Sequence, residues 1–285
     1  MIKRLNYYGE NMLGAIIGDI VGSIYEFDNI KTKDFNLFTK EMFFTDDTVM
    51  TVAIADAIMN GGQHENFIQS MKKWGCNYID KSYGRSFRRW LKLDIAEPYN
   101  SWGNGSAMRV SPCGWIAKLS KPFEEGLKLT EDLAKKSAEV THNHPEGIKG
   151  AQATAAATFF MRHGKSKNAI EEYKKLLKDY IQNKYKYDLN FTLNEIRPSY
   201  AFNESCQKTV PQAIVSFLES ENFEDAIRNA ISIGGDSDTL AAITGSIAEA
   251  AYGIPEDIKE KAISYLDNKI KELYNKWVNF INLKN

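Results

Sequence analysis

The chain has 285 residues, 43% apolar and 26% charged, an ordinary globular composition with length for one or two domains. Its 36 basic and 37 acidic side chains leave a net charge of −1, so no global field draws it to nucleic acid or a membrane. Three widely spaced cysteines, Cys76, Cys113 and Cys206, exclude a disulfide framework or a CxxC metal pattern and fit a reducing cytoplasm.

Lys3-Arg4 and the apolar run 12–24 have the outline of a signal peptide, but Asp19 interrupts the run, Glu26 follows it, and the stretch is too short for a bilayer. Residues 1–11 therefore read as a polar extension and 12–285 as one domain, with no membrane span. The pattern predicts a helix over 12–26 in which Gly14, Gly18 and Gly22 form a smooth stripe for close helix contact. Asp19 and Glu26, two turns apart, would then project from nearly one face. Further helices are predicted over 48–59, 66–74, 85–93, 107–119, 129–140, 147–162 and 169–182. Residues 183–203 are aromatic, β-branched and proline-containing, which suits a long ordered loop or a short hairpin. Helical pattern resumes over 211–218, 223–231, 240–252 and 256–282. No strand–helix alternation, linker or repeat appears, and the expected fold class is all-α, with several helices too apolar for a surface. Lys135-Lys136 or the basic stretch 85–92 reads as a local patch or, more plainly, a solvated face.

Two acidic clusters stand out. Asp236 and Asp238 could not share a ligand within a regular helix, since residues two apart point to nearly opposite sides. They converge only if the segment is a turn, and Gly234-Gly235 supplies the backbone freedom for one. Thr45-Asp46-Asp47-Thr48 opens an apolar helix whose start is expected inside the fold. Each cluster has a capping alternative, but capping needs one acceptor, and crowded carboxylates resist desolvation unless a cation joins them. Four carboxylates and two hydroxyls (Thr45, Thr239) without a nearby thiol suit hard ions such as Mg²⁺ or Mn²⁺, and their number suffices for two.

The stretch Ser101-Trp102-Gly103-Asn104-Gly105-Ser106 interleaves glycine with small polar residues before a helix, a pattern that offers amides to phosphate or forms a plain turn. Trp102 adds a stacking face for a nucleoside. Arg109 fits a structural ion-pair partner as readily as a site residue. In Thr141-His142-Asn143-His144-Pro145-Glu146, either histidine could contact a substrate, with helix capping as the alternative; four histidines in all give little basis for a zinc site.

The segments GAIIGDIVGSIYE, FTDDTVMTVAIADA, SWGNGSAMRVSP, THNHPEGIKGAQA, CQKTVPQAI and SIGGDSDTLAAITGSIAEAAYG, in this order, resemble the ADP-ribosylglycohydrolase family. The resemblance implies a compact single-domain orthogonal helical bundle around a central dinuclear Mg²⁺ or Mn²⁺ site. It assigns Thr45, Asp46, Asp47, Asp236, Asp238 and Thr239 as metal ligands and Glu26, Asp47 and Asp238 as catalytic groups. Substrate binding falls to Asp19, Ser101, Trp102, Gly103, Asn104, Gly105, His142 and Gly235. The implied activity is metal-dependent hydrolysis of ADP-ribose from a modified acceptor, with arginine on protein first, serine-linked and other conjugates next, and ADP-ribosylated nucleic acid a remote substrate. The competing readings are a non-catalytic ADP-ribose binder and a two-metal phosphoesterase. A monomer is expected, and residues 183–203 are the candidate specificity rim or ordinary loop packing.

Overall fold

The computed structural model describes residues 11–164 and 169–284; apart from Asn11, the expected extension lies outside these. The first half holds α1 (Leu13–Gly22), α2 (Asp46–Met59), α3 (His64–Asn77), α4 (Arg85–Leu91), α5 (Gly105–Met108), α6 (Ser111–Trp115), α7 (Phe123–Glu139) and α8 (Pro145–His163). The second holds α9 (Ile170–Tyr180), a π-turn at Ile181–Tyr185, α10 (Leu193–Ile196), α11 (Cys206–Leu218), α12 (Phe223–Ser232), α13 (Ser237–Tyr252), α14 (Glu256–Ser264) and α15 (Asn268–Lys284). Among the described residues one isolated bridge, Gly103 with Ser205, is the sole strand-like pairing. The fold is all-α around one core.

That core is built on α1 against α13. All ten residues of α1 are buried, and the glycine stripe explains how two backbones approach so closely. A Cβ at Gly14 would lie 2.2 Å from the Gly245 carbonyl oxygen, one at Gly18 2.0 Å from that of Ala241, and one at Gly22 2.4 Å from Asp238 Cα. Only glycine fits at these three places. Leu13, Ile16, Ile17, Ile20 and Val21 are fully buried on the remaining faces, each side chain contributing roughly 1.5–3 kcal/mol of burial. Glu249 of α13 accepts from Gly14 N at 2.9 Å, satisfying a first-turn amide of α1. The alanine-rich α8 and the apolar α2 pack around this pair, and the longer amphipathic α7, α9, α12 and α15 turn charged faces outward. No helix among the described residues is long and apolar enough to cross a membrane.

Several boundaries differ from the sequence reading. α1 stops at Gly22 rather than running to Glu26: Ser23 Oγ donates to the Ile20 carbonyl at 2.8 Å, Tyr25 N closes a turn on Gly22 O at 2.8 Å, and the chain leaves the helix axis. Asp19 and Glu26 therefore do not share a helix face. The predicted helix 107–119 breaks into α5 and α6, because Pro112 has no amide to continue the ladder and sits in the first turn of a new helix. α11 begins at Cys206 and carries Pro211 inside it, so the proline does not mark its start. The helix expected over 256–282 is divided where Asp267 accepts from Ile270 N at 3.0 Å and opens α15. Residues 183–203 form no hairpin; they are an ordered loop containing the single turn of α10, capped by reciprocal Thr192 and Glu195 bonds.

Candidate metal centre and active-site cleft

The acidic clusters meet because α2 and α13 both begin beside the C-terminal end of α1. Asp19, in the last turn of α1 and fully buried, accepts from Thr45 N at 2.9 Å, Thr45 Oγ1 at 2.6 Å, Thr48 N at 3.1 Å and the Thr48 hydroxyl. It thereby holds the N-terminus of α2, where a carboxylate is favoured by the helix dipole. Thr45 caps the same helix by accepting from Asp47 N at 3.2 Å. On the other side, Gly234 and Gly235 adopt left-handed φ values of +68° and +82°, the turn anticipated from the paired glycines. Asp236 is the N-cap residue of α13 and Asp238 lies in its first turn.

Two carboxylate groups result. Asp19, Asp47 and Asp238 each place an oxygen within 4.8 Å of the others, as do Glu26, Asp236 and Asp238, so Asp238 belongs to both. Asp47 Oδ1 is buried without a hydrogen-bond partner, while its Oδ2 accepts from Thr239 Oγ1 at 3.4 Å. Among the described residues no lysine or arginine forms an ion pair with any of these carboxylates or with Asp46.

The electrostatic consequence is uniform. Burial, reinforced by neighbouring carboxylates, pushes Glu26 up to about 8, Asp46 to about 7 and Asp236 to about 6. Asp47 and Asp238 are raised well above the usual range for the same two reasons, and burial raises Asp19. An orphaned buried oxygen and crowded acids without a protein cation fit a site for hard divalent ions, and the absence of thiolate or imidazole in the set argues for Mg²⁺ or Mn²⁺ over zinc.

Above the carboxylates lies a cleft of about 300 Å³ lined by Glu26, Asp46, Asp47, Asp236, Asp238 and Thr239 on one side, and by Ser101, Gly103, Asn104, Gly105 and His142 on another. Asn104 ties the two sides together, donating from Nδ2 to Asp236 Oδ2 at 2.6 Å and to Thr209 Oγ1 at 3.1 Å. In loop 101–105 the amides of Gly103 and Asn104 are already engaged, by Ser101 Oγ at 3.1 Å and Glu204 O at 2.7 Å. Of this stretch Gly103, Asn104 and Gly105 line the cleft, whereas Ser106 is fully buried. A second cavity of about 660 Å³ continues outward past Ser101 and Gly103 to Trp102, whose side chain is 54% exposed.

The two histidines separate cleanly. His144 caps α8, its Nδ1 accepting from Glu146 N at 3.1 Å, and packs edge-on against Trp102. His142 lines the cleft. Arg109 Nη2 donates to Thr141 Oγ1 at 2.9 Å, and the same hydroxyl is hydrogen-bonded to His142 Nδ1 at 2.7 Å. In the tautomer whose Nδ1 accepts from the hydroxyl, the imidazole proton is on Nε2, the ring nitrogen that a Cβ at Gly105 would approach to 3.2 Å. Burial and the Arg109 charge hold His142 well below the usual histidine range, so it stays neutral.

The remaining sequence-assigned residues fall elsewhere. Asp19 and Thr45 sit behind the cleft wall, bonded to each other, and Gly235 engages Asn29 through both its amide (2.7 Å) and its carbonyl (2.9 Å). Asp46 reaches the cleft but lies outside both carboxylate groups. Of segment 183–203, its C-terminal end comes to the rim: Asn203 lines the outer cavity, and Phe202 stacks on the exposed Phe27 beside Glu26. Sequence reasoning does not assign Tyr99, Arg85, Glu204 or Asn29 to the site, although Arg85 opens the basic stretch 85–92. The first three line the cleft, and Asn29 Nδ2 fixes the Glu26 turn by donating to the carbonyls of Tyr25 at 2.6 Å and Glu26 at 3.0 Å. None of the four sits in a recognisable motif. Arg109 is buried without a carboxylate partner and positions Thr141, not an ion pair.

The chain is similar in sequence and fold to known proteins. A solved structure titled ADP-ribosylglycohydrolase-related protein complex superposes with a TM-score of 0.70 at 19% identity, covering 98% of this chain and 97% of that one, which is a likeness of fold. An ADP-ribosylarginine hydrolase of Pseudomonas putida is 26% identical over 93% of this chain and 77% of its own length. An ADP-ribosylhydrolase of Homo sapiens is 25% identical, covering 94% and 92% of the two chains. The ADP-ribosyl-[dinitrogen reductase] glycohydrolase of Rhodospirillum rubrum is also 25% identical, with 91% and 90% covered. The family model for ADP-ribosylglycohydrolase matches residues 7–281, nearly the whole sequence, and the chain belongs to the ADP-ribosylglycohydrolase family.

Proposed function

We propose that this member of the family hydrolyses the glycosidic bond between ADP-ribose and arginine on a modified protein, using two Mg²⁺ or Mn²⁺ ions. The observation that carries the reading is the pair of carboxylate groups sharing Asp238 directly beneath a cleft whose other wall is loop 101–105 and His142. Asp47, Asp236 and Asp238 would hold the ions, with Glu26 and Asp19 completing the two groups and Thr45, Asp46 and Thr239 as the further ligands implied by family resemblance. When bound, such ions neutralise the carboxylates, bind ribose hydroxyls and lower the pKa of water.

The protein's own groups do the rest. His142 donates from Nε2 to a sugar oxygen and fixes the ring in the cleft. Loop 101–105, whose Gly105 lines the cleft, takes the diphosphate, and Trp102 offers its exposed face to the adenine. Glu26, half-buried at the cleft, takes the proton of the water that attacks the anomeric carbon as oxocarbenium character develops there. Arginine is placed first because two of the relatives act, by name, on ADP-ribosylarginine or on an ADP-ribosylated protein. A cytoplasmic location is proposed on the cysteine usage, and the chain is taken as a monomer.

A panel of Arg-, Ser-, ester- and nucleic-acid-linked ADP-ribose, read by mass spectrometry with and without EDTA, tests the reading. Intact ADP-ribose released from the arginine conjugate, lost in EDTA and regained with Mg²⁺ or Mn²⁺, is the expected result. Binding of ADP-ribose without turnover on any linkage would make the chain a binder, and release of AMP or phosphate would make it a phosphoesterase.

A further inference from the structure

We infer that the outer face of α4 is a docking surface for an acidic polypeptide segment next to the modified residue of the substrate protein; this rests on the proposed protein acceptor. The helix is short and sharply divided. Phe87, Trp90 and Leu91 are buried, whereas Arg85, Arg88, Arg89 and Lys92 are exposed. At 3.6 residues per turn those four basic side chains occupy one stripe, an arc of roughly 100° running about 10 Å along the axis.

Three features separate this stripe from an ordinary solvated face. Among the described residues none of the four pairs with an acid, although most other ion pairs of the molecule are made within such helix faces. Arg88 is oriented, donating from Nη2 to the Lys81 carbonyl at 2.8 Å. The stripe also begins at the site, since Arg85 lines the cleft with Glu26 and Asp46. A chain leaving the cleft from the acceptor end therefore has four unpaired cations within a few residues' reach.

Charge complementarity demands an anionic occupant, and a peptide fits better than a nucleic acid. A phosphate backbone is bound over an extended basic surface. Here the stripe is short, the exposed Asp80, Asp94 and Glu97 flank it along the chain, and the whole protein carries a net charge of −1 with a pI near 6.5. One or two Asp or Glu side chains, met by arginine forks, match its size.

The test pairs binding with turnover, using the full chain and the variant Arg89→Gln/Lys92→Gln, whose two residues are exposed and lie outside the cleft lining. A fluorescein-labelled peptide rich in Asp and Glu should bind the wild type by anisotropy, weaken between about 20 and about 200 mM NaCl, and bind the variant several-fold less. ADP-ribosylated peptides with acidic or with Gly/Ser flanks, and free ADP-ribosylarginine, complete the set. The variant should lose roughly fivefold in kcat/KM on the acidic-flanked peptide, through KM, and nothing on ADP-ribosylarginine. Equal handling of both flanks by the wild type, or an equal loss on the small substrate, overturns the inference. Tighter binding of oligo(dT) than of the acidic peptide at the same salt would overturn it too, in favour of nucleic acid. Absence of turnover on every linkage would refute the hydrolase reading instead, because the anisotropy arm reads the docking face without catalysis.

Discussion

Gly22→Ala isolates the link between helix packing and the metal centre. The added Cβ would sit 2.4 Å from Asp238 Cα and 2.5 Å from its nitrogen, where ordinary contact begins at 3.4 Å, so something must give by 3.4 − 2.4 = 1.0 Å. Neither atom can rotate away, because both belong to the backbone at the start of α13. Overpacking of this kind costs about 1–3 kcal/mol, partly offset by the helix-propensity gain of about 1 kcal/mol for replacing glycine. A net loss near 1 kcal/mol moves Tm by roughly 2–4 °C in a chain of this size. The functional loss should be much larger, since displacing a reacting or positioning group by about 1 Å costs on the order of 10²-fold in rate. Gly75→Ala is the control: the nearest atoms to its Cβ all belong to the Leu91 side chain, two methyls at 2.5 and 2.8 Å and Cγ at 3.3 Å, which can move. Thermal melts, Mn²⁺ titration calorimetry and kcat/KM on the arginine conjugate would be compared for both. Wild-type Mn²⁺ affinity and turnover in Gly22→Ala would refute the claim that this contact sets the position of Asp238.

Other consequences follow from the same geometry. In EDTA, Asp46 near 7, Asp236 near 6 and the raised Asp47 and Asp238 bind protons more tightly in the folded than in the unfolded chain, where carboxylates titrate near 4. Cation-free stability should therefore be greatest at low pH within this window and fall as pH rises from about 4 to about 7, while the Tm gain from Mg²⁺ or Mn²⁺ grows over the same range; a cation-free Tm that rises with pH there would contradict it. Asp238→Asn should raise the cation-free Tm by removing one of the crowded charges yet lower kcat/KM by at least about 10²-fold, and a variant both less stable without cations and fully active would be inconsistent with the arrangement. His142→Ala should cost roughly 10- to 100-fold in kcat/KM by removing one donor, and Thr141→Val should cost part of that by releasing the tautomer; equal activity of all three proteins would exclude the Nε2 donor.

What the sequence disclosed was the chemistry carried by neighbours in the chain. Asp236 and Asp238 are separated by one residue, and the glycines that bend the backbone before them are adjacent, so local geometry alone required a turn. The glycines of α1 are legible for the same reason, as a stripe at helical spacing. Partnerships across long separations were not. Asp19 spends its bonds on Thr45 and Thr48, twenty-six and twenty-nine residues away, and nothing in GDIVG announces that it braces α2. The helix end at Gly22 depends on a serine hydroxyl and carries no proline, so Glu26 was assigned to a face it does not occupy. Asn29 clasps Gly235 across 206 residues, and Arg109 orients a histidine through a threonine; both are solitary polar residues until the fold brings their partners up.

The placement of these partners shows how a carboxylate knot persists inside a packed domain. Isolated buried charges would be prohibitive, and two devices meet the problem at different depths. Furthest in, Asp19 is supplied with four donors, two amides and two hydroxyls, all from the first turn of α2 and its cap. That is the local solution, and it leaves Asp19 little capacity to bind a substrate. Nearer the cleft, Asp47 keeps an oxygen without a donor and Asp238 has a single amide at 2.9 Å from Thr239. Donor supply thus thins toward the cleft, the direction in which an ion can enter. A purely structural cluster would be expected to leave no orphan oxygen on a carboxylate that is 3% exposed, as Asp47 is. Asp47 and Asp238, whose oxygens are left least supplied, line the cleft in which the proposed cation and ribose would meet, and α1 and α13 are locked together by glycines that allow no slack.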